Sequence, residues 1–530
     1  MHGFRSKSLC ANLLASVCAA AGFLSPSLFW LTSVGLAIWI WTQNVAHPTI
    51  TSRFVFYLST VLALVIAFYW SPQAMAYAMD ASVPAGLGVT LVIVAFEALR
   101  ITLPILLAAR ITANTSLRWL AAGLLAVAAE TWMPSVFPWR LGYPLLAFPV
   151  LVQASDLLGP GFPTLLSFAI AGLMLHLLRQ LLSRRAETIR INTQEGNRAL
   201  LLPALFVVTA LVYGSSSLLY WEFVLPAQAK LRVALCQAYP MNVESVDNAR
   251  RISSQIDQDV DLVCWPESIG GTYSRELYSL SNESTVFANS LEPDRGLCPW
   301  PSAPAPLLVG GKTYDGLQES PDSVYVSALL IEPQTQQIVG RYDKRNLMPF
   351  GEYVPFKDTL PYMDAVFGQW DEITPGGTAS PIELQEARLG VTLCYEDMVP
   401  TAVRSNAAKG ANVLVSLADG SSFESPTTRR QHLLLSQLRA IENRKCLVRC
   451  ASTGVTCVIL PTGRILDRLP LEGDAMLVVD VPLIDGNSIY TACGDVLCWI
   501  SAGCLMCWAM VGISFNWRPS REPAVTMENV

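Results

Sequence analysis

Hydrophobic positions form long uninterrupted runs over the first 222 residues, whereas beyond residue 230 they form short runs separated by polar residues. Each long run approaches the ~20 residues that an α-helix needs to cross the hydrocarbon core of a bilayer. We predict eight spans, near 9–24, 27–43, 54–70, 84–107, 117–133, 162–182, 199–221 and 496–516. The stretch 134–161 is interrupted by Pro and Gly, so we predict an interfacial loop there instead of a straight helix.

Lys and Arg residues indicate how these spans are oriented. They gather before the first span, after the fourth, before the seventh and after the last, whereas the gap at 71–83 has none: Arg5, Lys7, Arg110, Arg118, Arg179, Arg184, Arg185, Arg190, Arg198, Arg518 and Arg521. With eight spans, all these groups lie on one side, which the positive-inside rule assigns to the cytoplasm. The long segment 222–495 is then on the opposite side, anchored at both ends.

Glu97 and Arg100 lie inside the fourth predicted span, where ionised side chains are costly and commonly functional. They are also about one helical turn apart, which fits a self-neutralising pair. Both interpretations stay open on the sequence. A charged pair in a span also suggests a transporter, but that function leaves the long outer segment unexplained.

The outer segment alternates short apolar runs with amphipathic stretches, a pattern typical of an α/β domain with buried sheets. Strands are predicted in "APLLVGGKTY", "SVYVSALLIEP", "ARLGVTLC", "ANVLVSLAD" and "KCLVRCAST", and helices in "NVESVDNARRISSQIDQDV", "TAVRSNAAKG" and "TTRRQHLLLSQLRAIENR". The predicted organisation is therefore a helical membrane domain at 1–222, an α/β domain at 223–495, and a last span with its tail at 496–530.

The composition agrees with this organisation and argues against several classes of function. Of the 530 residues, 52% are hydrophobic and 15% charged, a balance that points to membrane spans. A net charge of −6 without a basic block argues against nucleic-acid binding. Four histidines without a Cys/His ligand pattern argue against a metal site. The thirteen cysteines are irregularly spaced, and we assign no disulfide framework.

Three reactive side chains stand at or just beyond the ends of apolar runs: Glu267 after "DLVCWP", Lys344 after "IVGRYD" and Cys394 after "GVTL". Strand ends at one edge of a sheet converge, and sites of α/β domains form there. A thiolate is a nucleophile, a carboxylate can move its proton, and an ammonium can stabilise an oxyanion. Each residue alone fits a packed thiol or a solvated surface charge. Only the combination indicates acyl transfer.

The order Glu, Lys, Cys, with the motifs "WPE", "YDKRNLMPFGEYVP" and "LCYED", resembles the nitrilase superfamily, and within it the apolipoprotein N-acyltransferases. The stretches "ETWMPSVFPWRLGY" and "YTACGD" are similar to further motifs of that family, so the resemblance covers essentially the whole chain. It implies eight spans in the bacterial inner membrane and a nitrilase-like αββα sandwich on the periplasmic side. It also implies Glu267 as general base, Lys344 as oxyanion stabiliser and Cys394 as nucleophile.

The same resemblance implies supporting roles for Glu352, Tyr395 and Glu396, which adjoin the reactive groups. A structural ion pair or cap for the two glutamates, and ordinary packing for the tyrosine, are the alternatives. Two loops, "QAYP" at 237–240 and "LADGSSF" at 417–423, depart from the pattern of the family and are expected to alter substrate access.

The implied reaction moves an acyl chain from a membrane phospholipid, through a thioester on Cys394, to the α-amino group of a diacylglyceryl-modified cysteine of an apolipoprotein. It needs no cofactor and no metal, and a monomer in the lipid bilayer is expected. Two alternatives remain: a membrane-bound nitrilase-type amidase or hydrolase, and a catalytically altered homologue that binds lipoproteins.

Overall fold

The computed structural model describes residues 2–43, 49–79, 81–112, 115–185, 193–238, 245–256, 259–267, 269, 272–274, 300–317, 320–355, 357, 359, 373–420 and 425–516. Within these ranges, the chain forms an N-terminal helical region, a two-sheet sandwich and a C-terminal helix. The departing loops at 237–240 and 417–423 lie partly outside the described residues.

The helical region is built from α1 (His2–Leu24), α2 (Leu31–Gln43), α3 (Ile50–Ala67), α4 (Ser71–Ala78), α5 (Val83–Glu97), α6 (Leu99–Ile111), α7 (Arg118–Trp132), α8 (Ser155–Leu158), α9 (Phe162–Arg185) and α10 (Thr193–Val224). Helices occupy every predicted span. Among the described residues, three stretches are long and apolar enough to cross a bilayer by length and composition: Ile50–Ala67, Val83–Ile111 and Ala199–Ala227. The structure thus supports a membrane-embedded region, while eight crossings stay a prediction.

The stretch 134–161 has no long helix, as predicted. It forms the short 3-10 helices Tyr143–Ala147 and Pro149–Val152, followed by α8. Pro144 is the second residue of the first 3-10 helix and Pro149 begins the second, because the fixed φ of proline suits a first turn and its missing N–H has no intrahelical partner there.

Glu97 and Arg100 form the self-neutralising pair that one of the two interpretations expected. Arg100 Nη1 lies 2.5 Å from Glu97 Oε2, and both side chains are buried. Arg100 also donates to the carbonyl of Glu130 and to Ser135 Oγ, each at 3.0 Å. The pair therefore fixes the loop that follows α7 and leads towards the sandwich.

The sandwich contains β1 (Lys230–Gln237), α11 (Ser245–Ser253), β2 (Leu262–Cys264), β3 (Thr272–Ser274), β4 (Leu307–Leu317), β5 (Ser320–Glu332), β6 (Gln337–Asp343), β7 (Ile382–Leu384), β8 (Ala387–Leu393), α12 (Pro400–Ala408), β9 (Val413–Ala418), α13 (Pro426–Asn443), β10 (Cys446–Ala451), β11 (Cys457–Ile459), β12 (Ile465–Arg468) and β13 (Ala475–Pro482). It is followed by α14 (Ile489–Cys493) and α15 (Val496–Asn516), and α15 occupies the eighth predicted span.

The strands form two sheets of similar plan. The first has the order β13-β1-β2-β4-β5-β6, with β3 paired to β4, and the second has the order β12-β11-β10-β9-β8-β7. In each sheet the central strands β1-β2-β4 and β8-β9-β10 are parallel, and antiparallel strands flank them. Because parallel strands need both faces covered, this plan requires helices outside and a partner sheet inside.

Alternating side chains of the strands build that arrangement. Residues such as Val233, Leu330, Val391, Val415 and Val448 share one buried cluster between the two sheets. Their neighbours along the strands face outwards, where α11 covers the first sheet and α12 and α13 cover the second. The order helix, sheet, sheet, helix is the αββα sandwich that the resemblance implied.

The sandwich packs directly on the helical region. A buried cluster joins Tyr395, Met398 and Leu438 of the sandwich to Tyr143 and Phe162 of the helical region. Polar contacts tie the same two parts: Arg444 Nε lies 2.8 Å from Asp156 Oδ2, and Trp70 Nε1 donates to Gln431 Oε1 at 3.0 Å.

Candidate active site

The three predicted catalytic residues follow the ends of strands from both sheets. Lys344 comes directly after β6, Glu267 follows β2 in the same sheet, and Cys394 comes directly after β8 in the other. Lys344 Nζ lies 3.3 Å from Glu267 Oε1. Burial raises the pKa of the Cys394 thiol, the charge of Glu267 adds to that effect, and the charge of Lys344 opposes it. The structure therefore brings the three residues into one buried cluster.

Lys344 is held between two carboxylates. Its Nζ lies 2.5 Å from Glu352 Oε1, and Glu352 Oε2 accepts a hydrogen bond from the main-chain N–H of Met348 at 2.7 Å. Burial by itself lowers the pKa of a lysine, but Glu267 and Glu352 outweigh that effect and raise the pKa of Lys344 well above its ordinary value. The ammonium is therefore a permanent positive charge in the site.

Glu267 is suited to exchange protons near neutral pH. Burial raises the pKa of its carboxyl to about 7; Lys344 opposes the shift, and the charges of Glu352 and Asp419 add to it. A carboxyl group with a pKa near the working pH is effective as both base and acid.

Cys394 has a strained backbone and a protonated thiol. Its φ is 45°, in the left-handed region, which costs a non-glycine residue roughly 1–2 kcal/mol. Its Sγ donates to the main-chain carbonyl of Asp419 at 3.3 Å. Burial raises the pKa of the thiol, so a base would have to take its proton before the sulfur could act as a nucleophile.

Glu396 joins the ends of β6 and β8. Its fully buried carboxylate accepts from the hydroxyl of Tyr342 at 2.8 Å and from the main-chain N–H groups of Arg345 at 2.9 Å and Leu393 at 3.0 Å. These contacts hold the chain around Lys344 and the chain around Cys394 in a fixed relative position.

Tyr395 points towards the helical region. Its hydroxyl donates to the main-chain carbonyl of Val136 at 2.8 Å, and its ring belongs to the buried cluster that joins the two parts of the molecule. The residue next to Cys394 thus anchors the sandwich to the loop that Arg100 also fixes.

Sequence reasoning missed four polar residues around the nucleophile. Asp419 supplies the carbonyl that accepts from Cys394, and Asp397 is buried in contact with His432 and Arg449. The acidic residue at the end of "LCYED" was visible, but its partners are 35 and 52 positions away, and no local pattern connects them.

An apolar pocket, partly open to its surroundings, lies between the helical region and the sandwich. Aromatic rings of the helical region form one wall: Phe23, Phe68, Trp70, Phe137, Trp139 and Tyr143. Met398, His432 and Leu435 of the sandwich belong to the other. Met398 ends the 3-10 helix that Cys394 begins, so the cavity adjoins the nucleophile's segment. In the described part of the chain, no cluster of His, Cys, Asp and Glu suits a metal ion.

Two family profiles match the chain. The profile described as carbon-nitrogen hydrolase matches residues 232–489, and the profile described as apolipoprotein N-acyltransferase N-terminal domain matches residues 15–173. The apolipoprotein N-acyltransferase of Geobacter metallireducens is 27% identical over 376 residues, which cover 68% of this chain and 67% of that protein. Apolipoprotein N-acyltransferase 1 of Treponema pallidum is 33% identical over 258 residues, which cover 46% of this chain and 44% of that protein.

Solved structures resemble the sandwich more distantly. Nit3 of Saccharomyces cerevisiae, a nitrilase-superfamily member, has a TM-score of 0.35 and 17% identity, covering 48% of this chain and 90% of its own. An amidase from Nesterenkonia sp. has a TM-score of 0.33 and 20% identity, covering 54% of this chain and 98% of its own.

Proposed function

We propose that this chain, which belongs to the apolipoprotein N-acyltransferases of the nitrilase superfamily, moves an acyl group from a membrane phospholipid to the α-amino group of a lipid-modified cysteine. The observation that carries the proposal is the buried cluster of Glu267, Lys344 and Cys394 beside an apolar cavity and a helical membrane region. Glu267 is the base, Lys344 stabilises the oxyanion, and Cys394 is the nucleophile.

The first half of the reaction forms a thioester. Sγ of Cys394 attacks the ester carbonyl of the phospholipid while Glu267 takes the thiol proton. The tetrahedral oxyanion is stabilised by the ammonium of Lys344. The C–O bond of the ester then breaks, and Glu267 returns the proton to the leaving alkoxide, so that a lysophospholipid departs.

The second half transfers the acyl group to the acceptor. The α-amino group of the diacylglyceryl-modified cysteine attacks the thioester carbonyl, and Glu267 takes one proton from the nitrogen. Collapse of the second oxyanion breaks the C–S bond, and the proton passes to the thiolate. The products are an amide on the lipoprotein and the free enzyme.

The architecture supports this choice of substrates. Both proposed substrates are retained in the bilayer by their acyl chains, at about 0.8 kcal/mol per buried methylene. The sandwich lies between α10 and α15, so it is tethered at both ends to apolar helices. We propose eight crossings with the sandwich on the periplasmic side, as the Lys and Arg distribution indicates.

A hydrolase is the second candidate, because the profile that matches the sandwich is that of the carbon-nitrogen hydrolases. Water would then take the place of the amine in the second half of the reaction. The apolar lining of the neighbouring pocket favours an acyl chain as the bound group, as the transferase requires.

The test incubates purified protein with labelled phosphatidylethanolamine, with and without a diacylglyceryl-cysteine peptide, followed by mass analysis. We expect an acyl adduct on Cys394 without the peptide, and an N-acylated peptide with it. Cys394→Ser should abolish both, whereas Cys493→Ser, at an exposed cysteine on α14, should change neither. Free fatty acid as the main product would support the hydrolase, and the absence of any adduct would support a binding protein.

A further inference from the structure

Asp397 lies three residues after Cys394, on the same 3-10 helix, and its carboxylate is wholly buried. It accepts hydrogen bonds from side chains of three different elements: Ser416 Oγ of β9 at 2.9 Å, Arg449 Nε of β10 at 3.1 Å, and His432 Nε2 of α13. A buried carboxylate is tolerated only when such donors satisfy it. The three donors therefore fix this helix relative to the second sheet and to α13.

The contact with Arg449 determines the tautomer of His432. Nη2 of Arg449 lies 3.4 Å from Nδ1 of His432, and a guanidinium only donates. Nδ1 is thus the bare nitrogen, and Nε2 carries the proton that His432 donates to Asp397. Burial lowers the pKa of His432, and the charge of Arg449 adds to that effect against the opposing charge of Asp397, so the imidazole is neutral.

The neighbouring carboxylate fixes the same helix from the opposite side. Glu396 is bonded to the end of β6, in the first sheet, through Tyr342. Two consecutive carboxylates thus hold the helix between the two sheets, and Cys394 begins it in a left-handed conformation. Since that conformation costs roughly 1–2 kcal/mol, it persists only where the surrounding contacts enforce it.

We propose that Asp397, His432 and Arg449 form a positioning network that holds the thiol of Cys394 in its attacking orientation, and that the hydrogen bond from His432 is its decisive member. The inference rests on the proposed function, because only that function makes Cys394 the attacking group. The reactivity of the thiol is nevertheless measurable without lipid. The three are positioning residues, because they act through the main chain of 394–398.

Matched variants of His432 separate its hydrogen bond from its volume. His432→Gln keeps an N–H donor at a similar reach, with an oxygen that can accept from Arg449. His432→Leu keeps a side chain of similar bulk on the wall of the cavity but removes the donor. Ser436→Ala, one turn further along α13, removes a buried hydroxyl that bonds the carbonyl of His432 and does not contact Asp397.

The experiment measures two rates on full-length protein in detergent: alkylation of Cys394 by iodoacetamide without lipid, and acyl-Cys394 formation with labelled phosphatidylethanolamine. We expect His432→Leu to slow both at least tenfold with little change in the phospholipid KM. His432→Gln should stay within about threefold of the parent protein, and Ser436→Ala should match it. If His432→Leu does not fold, Asp397→Asn takes its place, and its two rates are compared with those of His432→Gln.

Two outcomes would overturn the proposal. Alkylation of His432→Leu at the parent rate would mean that the network does not position the thiol. Equal losses in the leucine and glutamine variants would mean that the hydrogen bond is not what matters. If the alkylation rates of the variants follow the expected pattern but the parent protein forms no acyl adduct, the proposed function fails and the positioning network stands.

Discussion

The hydroxyl of Tyr342 donates to the buried carboxylate of Glu396 at 2.8 Å and thereby joins β6, the strand that ends just before Lys344, to the 3-10 helix that begins at Cys394. Without it, Glu396 keeps main-chain donors from Leu393 and Arg345. Tyr342→Phe should therefore destabilise the protein by about 1–3 kcal/mol without abolishing acylation. For a chain of 530 residues, a fall in the apparent Tm of roughly 1–3 °C in detergent would fit. Complete loss of acyl-Cys394 would instead give Tyr342 a direct part in the chemistry.

Glu267 and Glu352 both contact Lys344. Substitution distinguishes a carboxylate that acts as the base from one that only holds the lysine in place. Glu267→Gln should slow acyl-Cys394 formation by about 10²–10⁴, the usual contribution of a general base. Glu352→Gln can still accept from Lys344 and should cost at least tenfold less. Single-turnover rates with labelled phospholipid provide the comparison; the reverse ranking would assign the base to Glu352.

The pH dependence follows from the raised pKa of Glu267. The carboxyl is protonated in the folded protein below about 7, so the rate of acylation should rise with pH through about 7 and then level off. Lys344, Glu352 and Asp419 are the charges that act on it. Glu267→Gln should lose this inflection, and a parent profile that is flat between pH 5 and 8 would contradict the assignment.

The same shift has a consequence for stability. A protonated Glu267 favours the folded state at low pH, and this contribution is lost as pH rises through the folded-state pKa of about 7. Glu267→Gln should therefore be more stable relative to the parent protein at pH 8 than at pH 4. Apparent Tm values at the two pH values measure the difference.

Lys344 Nζ contacts the carboxylates of both Glu267 and Glu352. Lys344→Met should reduce acylation by about 10²–10³, the loss seen when an oxyanion donor is removed. It also leaves Glu267 without the ammonium that lowers its pKa, so this carboxyl should take up a proton more readily. An acylation inflection shifted to higher pH, beside the lower rate, is the expected signature.

Gly420 follows Asp419, whose main-chain carbonyl accepts a hydrogen bond from Sγ of Cys394. A Cβ at this position would lie 1.8 Å from the main-chain oxygen of Thr453, so the backbone must shift. Gly420→Ala should move the Asp419 carbonyl away from Cys394 and slow alkylation and acylation together. Gly377→Ala is a matched control, because a Cβ there meets open space.

Much of this fold follows from local patterns. The short apolar runs "ARLGVTL" and "ANVLVSLAD" predict β8 and β9, whose side chains are buried on both faces, in the inter-sheet core and under the helices. Short edge strands were missed. β12 has exposed polar side chains and only four residues, too few for a period to show, and its pairing with β11 comes from tertiary contact.

The site residues that lie at strand ends were predictable from the sequence. Lys344 and Cys394 directly follow β6 and β8, as the sequence analysis expected. The surrounding network was not predictable, because His432 lies in the middle of an amphipathic helix and Arg449 inside a buried strand. A polar residue at such positions looks like any satisfied core residue until the partners are placed in space.

The contact of Tyr395, Met398 and Leu438 with the helical region determines how the enzyme can be handled. A gene fragment encoding only the sandwich would expose these side chains to solvent as an apolar patch of the kind that drives aggregation. It would also lose Val136, whose carbonyl anchors the residue beside the nucleophile. We therefore expect the sandwich expressed alone to aggregate, and the full-length chain to need detergent or lipid throughout purification.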